Sequence, residues 1–504
     1  MISKLWTSAQ EKRLTVLAAV LASAACIACC FALAGPGFAV KRVDRSGQGI
    51  RLRDFPYPYS AMAALINDCD NTTPRSFERY HRFLNTRGET IYGPGLGLDI
   101  SDSFFAYTSA SDYNLVMTFF LGADPGARKD ARRIERYIRC GWIDAMHTYG
   151  DFSAPDGAGG AGSAEDGDGV GGVEDAGGAG GEPVGFSREL GAAAYASLRR
   201  DGIYPIVWTD HGNEGNVQNF GSYGPGASSR YKLGDLPRAG ERYHTDFTVP
   251  GGVKYVWDAR HSSRFGYDFP LTARTLRDGQ KVWSFSRYTG GGATNGGTAN
   301  NGGATTVGGA TNGGVGYYAT AASGWDWYPD GLRRTLTEER LQALVADRQY
   351  GLFAQHMGFY GEDYIYEAED VAALRLLAEY QYERSAILVA GTARLFEYAT
   401  AHRFVSYEAY SSDGGAGGPN AGGPYAVINI LSVADPLFPE PEPSVERLRG
   451  LTFYCDDPDR VKVFVNSAPL NDSELSRNGV DHTGRPSVSI RWRPNDDTDY
   501  TVFG

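Results

Sequence analysis

Between residues 96 and 390 the chain repeats one unit. A short apolar run rich in β-formers ends in polar residues and is followed by a helical pattern or a long loop. The runs are Leu96–Leu98, Trp142–Met146, Ile203–Trp208, Val253–Trp257, Val282–Phe285, Tyr350–Ala354 and Ala386–Ala390. Continuous apolarity implies strands buried on both faces, and alternation with helices implies that they run parallel. The architecture expected is therefore an α/β one, either a β/α barrel or a doubly wound sheet.

The helical signals fit this pattern. Pro125 opens a run that Gly141 stops, Ser187 caps a run that Gly202 ends, Thr335 and Glu338 form a capping-box pattern, and Glu367 to Glu383 carries apolar residues at helical spacing. Residues 46–90 read as a helical lead-in, and 91–436 as the β/α unit. Nearly half of the 66 glycines fall in three windows, 154–184, 289–316 and 411–424, which read as flexible insertions. Beyond the proline-rich linker Pro439-Glu440-Pro441-Glu442-Pro443, residues 444–504 alternate like strands and predict a small β-sandwich-like domain.

Leu14 to Ala34 is almost uniformly apolar, and at 1.5 Å per residue its 21 positions reach about 30 Å, the thickness of a bilayer's hydrocarbon core. It predicts a transmembrane anchor after a 13-residue cytoplasmic leader, with the remaining chain periplasmic or extracellular; a long cleaved signal is the alternative, since Ala32-Leu33-Ala34 resembles a cleavage site. A net charge of -12 is the wrong sign for a protein whose main task is neutralising phosphate, so no nucleic-acid partner is expected. Cys26, Cys29 and Cys30 lie in the apolar segment, and Cys69, Cys140 and Cys455 are scattered, which leaves no disulfide framework to read.

Chemistry is expected at the C-terminal strand ends, where both architectures build their active sites. Asp99-Ile-Ser-Asp102, His147-Thr-Tyr-Gly-Asp151, Thr209-Asp210-His211 and His356 stand at such positions. The arrangement resembles the polysaccharide deacetylase superfamily, which has an aspartate pair after its first strand, a His-[Ser/Thr]-x-x-His motif after its second and a histidine near its last strands. Here the matching residues are Asp99 and Asp102, His147-Thr148-Tyr149-Gly150-Asp151, and Phe353-Ala354-Gln355-His356. The aspartates are three apart rather than adjacent, Asp151 stands where the second histidine would be, and no Arg-Pro-Pro motif follows the third strand.

The resemblance, which covers about residues 90 to 400, implies a distorted seven-stranded β/α barrel and a metal-dependent deacetylase acting on an extracytoplasmic polysaccharide or peptidoglycan-like glycan. It implies Asp99 as base and His356 as acid, and a divalent metal on Asp102, His147 and Asp151, with His211 able to replace the missing histidine. A set of two carboxylates and one imidazole suits Zn²⁺ best, with Mn²⁺ or Mg²⁺ as alternatives. Tyr149, His211, Asn219 and Trp257 are expected to line the sugar site, because flat rings cover pyranose faces and polar loops orient hydroxyls. Two other functions fit the same residues: a glycoside hydrolase using two carboxylates, and a non-catalytic glycan-binding or envelope-assembly protein.

Overall fold

The structure is a computed structural model that describes residues 40–47, 49–108, 115–152, 185–211, 216–221, 232–290, 326–412 and 425–502. The segment Leu14–Ala34 and the glycine windows lie wholly or almost wholly outside these residues, and among the described residues no helix is long and apolar enough to cross a membrane.

Seven parallel strands close into a barrel. They are β1 (Ala61–Asn67), β2 (Asp102–Phe104), β3 (Ile143–His147), β4 (Val207–Thr209), β5 (Tyr255–Ser262), β6 (Lys281–Tyr288) and β7 (Tyr350–Gln355). Each pairs in parallel with the next, and β7 returns to β1 over Met62–Asn67. An eighth strand, β8 (Ile387–Val389), pairs with Ala61–Ala63 on the edge that β2 takes at Asn67. The irregular closure is the distortion expected of this barrel. Among the described residues six α-helices longer than a single turn interleave: α1 (Pro74–Asn85), α2 (Ala131–Cys140), α3 (Arg188–Arg200), α4 (Glu338–Ala346), α5 (Ala368–Tyr382) and α6 (Thr392–Phe404).

Strand β1 shows why both faces are apolar. Ala61, Ala63 and Leu65 pack outward with helix residues such as Phe77 and Leu374, while Met62, Ala64 and Ile66 fill the interior beside Trp257, Phe285 and Leu352. This strand lies inside the stretch expected to be helical, of which only α1 is a long helix. Leu96–Leu98, conversely, is not a strand. The amides of Leu96 and Leu98 bond to the carbonyls of Phe83 and Leu84 at the end of α1, so the segment extends that helix's cap rather than joining the sheet.

The lower, N-terminal end of the barrel is closed by α6. Phe396 lies 5.2 Å from Tyr255 and 4.6 Å from Phe285, ring centre to ring centre, and the Tyr255 hydroxyl donates to Glu397 at 3.0 Å. Below it stand two sheets. In the first, the antiparallel pair Val405–Ser412 and Tyr425–Val433 is flanked by Arg42–Arg45 and Val461–Val465. In the second, Thr452–Tyr454, Ser487–Ile490 and Leu475–Asn478 are joined by Arg51–Leu52. The C-terminal strands thus share both sheets with segments from before and within the barrel chain. Tyr407 packs edge-on to Phe453 at 5.0 Å between the sheets.

Candidate metal centre

The upper rim is built from three strand ends. Strand β1 stops at Asn67, and the chain continues Asp68-Cys69-Asp70 before Thr73, whose side chain accepts from Ser76 to start α1. Strand β3 ends in His147, paired in register with Thr209, the last residue of β4, and His211 follows two residues later. After His147 the chain turns sharply. Thr148 takes a positive φ of 55°, and a Cβ on Gly150 would come within 2.4 Å of the Tyr107 carbonyl oxygen.

Three atoms converge here. Asp70 Oδ1 lies 3.0 Å from His147 Nε2 and 3.4 Å from His211 Nδ1, and the two nitrogens are 3.1 Å apart. Ligands on one ion at about 2.0–2.1 Å are about 3.0 to 3.4 Å from each other, so the triangle has the size that a small divalent cation requires. Asp70 Oδ1 is buried without a well-directed hydrogen-bond donor, an arrangement a cation would satisfy. This Asp/His/His group could hold a metal ion.

The next layer of contacts orients the ligands. The Thr209 hydroxyl donates to Met146 O at 3.3 Å, so its lone pair accepts from His147 Nδ1 at 2.9 Å and leaves Nε2 facing the triangle. His211 is held on both sides: Nε2 meets Asp151 Oδ1 at 3.3 Å, while Asn219 brackets its backbone, accepting from the amide at 3.0 Å and donating to the carbonyl. Phe105 supplies an apolar wall, 4.9 Å from the His147 ring and 5.2 Å from that of His211. Burial lowers the His211 pKa, but the carboxylates of Asp70 and Asp151 outweigh it and raise the ring to about 9.

A second carboxylate and a third histidine flank the triangle. Asp68 Oδ1 accepts from Arg287 Nη1 at 2.7 Å, and the guanidinium lies 3.5 Å over the Trp257 ring. Asp68 Oδ2 faces His356 Nε2 at 3.5 Å, and the same nitrogen is 3.4 Å from Asp70 Oδ2. Burial alone would raise the Asp68 pKa; Arg287, His147 and His356 hold it below the usual carboxylate range. His356 Nδ1 approaches Trp327 O at 3.3 Å, and Tyr328 and Phe359 surround the ring.

The residues anticipated from sequence divide sharply. His147 and His211 are in the triangle, Asp151 stands behind His211, and His356 flanks the site. Asp99 is not there: it precedes β2, at the opposite end of the barrel, and pairs with Arg394 of α6. Asp102 opens β2 and is buried, accepting from Asn67 Nδ2 at 2.6 Å and from the Tyr80 hydroxyl. The carboxylates that do stand at the rim are Asp68 and Asp70. Tyr149 is buried among Phe186, Trp208 and His244, with its hydroxyl on Thr248, Asn219 faces the His211 backbone, and Trp257 lies beneath Arg287. Asn219 and Trp257 therefore reach the site only through the His211 backbone and Arg287, and Tyr149 packs in the core away from it.

Comparison with protein-family models, curated proteins and solved structures finds no match to this chain.

Proposed function

We propose that this chain is a metal-dependent deacetylase of a glycan, anchored by Leu14–Ala34 with its barrel outside the cytoplasm. The observation that carries the reading is the pairing of a three-ligand triangle with a separate carboxylate and a separate imidazole on its flank, Asp68 and His356. The resemblance noted in the sequence supports an acetyl group on a sugar as the target.

Asp70, His147 and His211 would hold the ion, and one carboxylate with two imidazoles suits Zn²⁺ better than Mg²⁺. A bound divalent ion supplies a Lewis acid that lowers the pKa of water toward ~7 and polarises an acyl carbonyl. The protein's own groups do the rest. Asp68 stays ionised because Arg287 fixes its Oδ1, and it takes the proton of the water whose oxygen adds to the acyl carbon. His356, oriented through Nδ1 toward the Trp327 carbonyl, presents Nε2 to give a proton to the departing sugar nitrogen or oxygen as the acyl bond breaks. Phe105 keeps water from the ligand side, which strengthens every charge interaction there.

The test is metal content of the purified full chain together with acetate released from acetylated oligosaccharides. The expected result is about one equivalent of metal and acetate release that both vanish in His147→Ala. Absence of metal binding at micromolar concentration would overturn the reading, as would new reducing ends in place of acetate.

A further inference from the structure

A groove of about 1000 Å³ runs down the outer wall of the barrel beside α2, with Glu78 of α1 on one side and Tyr500 and Thr501 at its base. Six cations line it, Arg128, Lys129, Arg132, Arg133, Arg136 and Arg139, against the carboxylates of Glu78 and Asp130. In a chain of net charge -12 this is a concentrated reversal of sign.

The stripe works against the stability of its own helix. The first turn of α2 contains Arg132 and Arg133 and no acidic residue, a charge order the helix dipole disfavours and that Asp130 at the N-cap offsets in part. Arg132 and Arg136 are four apart, and Arg136 and Arg139 three apart, spacings at which like charges repel. Four of the six cations are neutralised internally: Arg133 meets Glu78 at 3.0 Å and Asp130 at 3.2 Å, Arg128 meets Glu135 at 3.2 Å and Asp201 at 2.5 Å, Lys129 meets Asp130 at 3.4 Å, and Arg139 reaches Glu135 at 4.0 Å. Among the described residues no carboxylate lies within ion-pair distance of Arg132 or Arg136, and the Arg136 Nε is buried without a hydrogen-bond partner. Arg132 and Arg136, one helical turn apart beside the concavity and without a carboxylate of their own, are the cations left for an anion from outside.

We propose that this groove binds a stretch of anionic polysaccharide, a polymer with a carboxylate or phosphate on each repeat. Arginines one helical turn apart, at a rise of about 5 Å, face such regularly spaced charges. Single-stranded nucleic acid fits less well, because grooves for it interleave aromatic platforms with the cations, and only Tyr500 is aromatic here. A membrane surface fits less well because the patch is concave. Since α2 starts after the antiparallel hairpin of Phe120–Leu121 and Asp124–Arg128 that follows β2, and leads into β3, the head of the groove lies toward the rim that carries His147. The occupant's class rests on the glycan reading above; the groove itself does not.

The experiment measures binding of the full chain to polygalacturonate, to the same polymer fully methyl-esterified, to an oligonucleotide and to anionic lipid vesicles. The variant Arg132→Gln/Arg136→Gln relieves the helix and so keeps the fold. Expected are binding to polygalacturonate that weakens about tenfold between about 50 and 200 mM salt, as for contacts that release counterions. An equal or larger loss is expected for the ester and for the double variant. His147→Ala should bind like the parent, and the double variant should release acetate from a neutral oligosaccharide at the parental rate, so that failure of the groove and failure of the deacetylase reading are told apart. Equal binding of the ester, an unchanged double variant, or tighter binding of oligonucleotide or vesicles would overturn the proposal.

Discussion

Asp151 Oδ1 lies 3.3 Å from Nε2 of His211, on the far side of the ring from the nitrogen that faces Asp70 and His147. The carboxylate thus stands where it fixes the ring's tautomer and makes Nδ1 a better donor. Asp151→Asn should weaken metal affinity by about 10- to 100-fold without unfolding the protein. Metal titration calorimetry checks this, and unchanged affinity would remove Asp151 from the site.

Ligand and base should separate in mutants. Asp68→Asn should keep the metal and reduce acetate release by about 10²- to 10⁴-fold, the usual contribution of a positioned base. Asp70→Ala should lose both metal and activity. Loss of metal in Asp68→Asn would make that carboxylate a ligand instead.

Arg287 and Asp68 are both almost fully buried, so Arg287→Met leaves the Asp68 carboxylate under the rim without its hydrogen-bonded cation, with only His147 and His356 facing it. The expected loss is about 3–5 kcal/mol, read by denaturant unfolding. The folded variant should also show its rising limb of activity at higher pH, because the ionised form of Asp68 has lost its largest stabilising partner.

Two half-buried groups away from the rim should give stability opposite dependences on pH. Burial lowers the His402 pKa to about 4, so the folded state refuses a proton that the unfolded chain accepts, and stability is lost as pH falls from about 6.5 toward 4. Burial raises the Asp144 carboxyl to about 7, so stability is lost as pH rises from 3.8 toward 7. In thermal unfolding across pH 4 to 7, His402→Gln should remove a rise and Asp144→Asn a fall, each limited to about 1.4 kcal/mol per pH unit. Parallel profiles for variant and parent would show that neither group titrates abnormally.

The anchor predicts that protease added to intact spheroplasts digests the barrel. Full protection would place the barrel in the cytoplasm.

Much of the barrel was legible because six strands announce themselves as apolar runs between punctuation, and His147, His211 and His356 stand at or just beyond strand ends. Strand β1 was not. Ala61-Met-Ala-Ala-Leu-Ile66 is composed of good helix formers and is buried on both faces, so it shows neither strand period nor β-branched bias. Missing that strand displaced the aspartates, and Asp99 and Asp102 were read in place of Asp68 and Asp70. The available signal was Asn67-Asp68-Cys69-Asp70 directly before the helix cap at Thr73. Tyr149 and Trp257 were misread for another reason: a ring near a strand end can face either side of the sheet, and sequence does not say which.

The position of Phe396 beneath Tyr255 and Phe285 makes the molecule indivisible. The helix that stoppers the barrel runs directly into Val405–Ser412, and that strand borders Arg42–Arg45 from the start of the described chain. Excising residues after 404 would therefore strip a supporting floor from beneath the barrel that carries the Asp70–His147–His211 rim, and removing residues before 54 would unravel the same floor from its other edge.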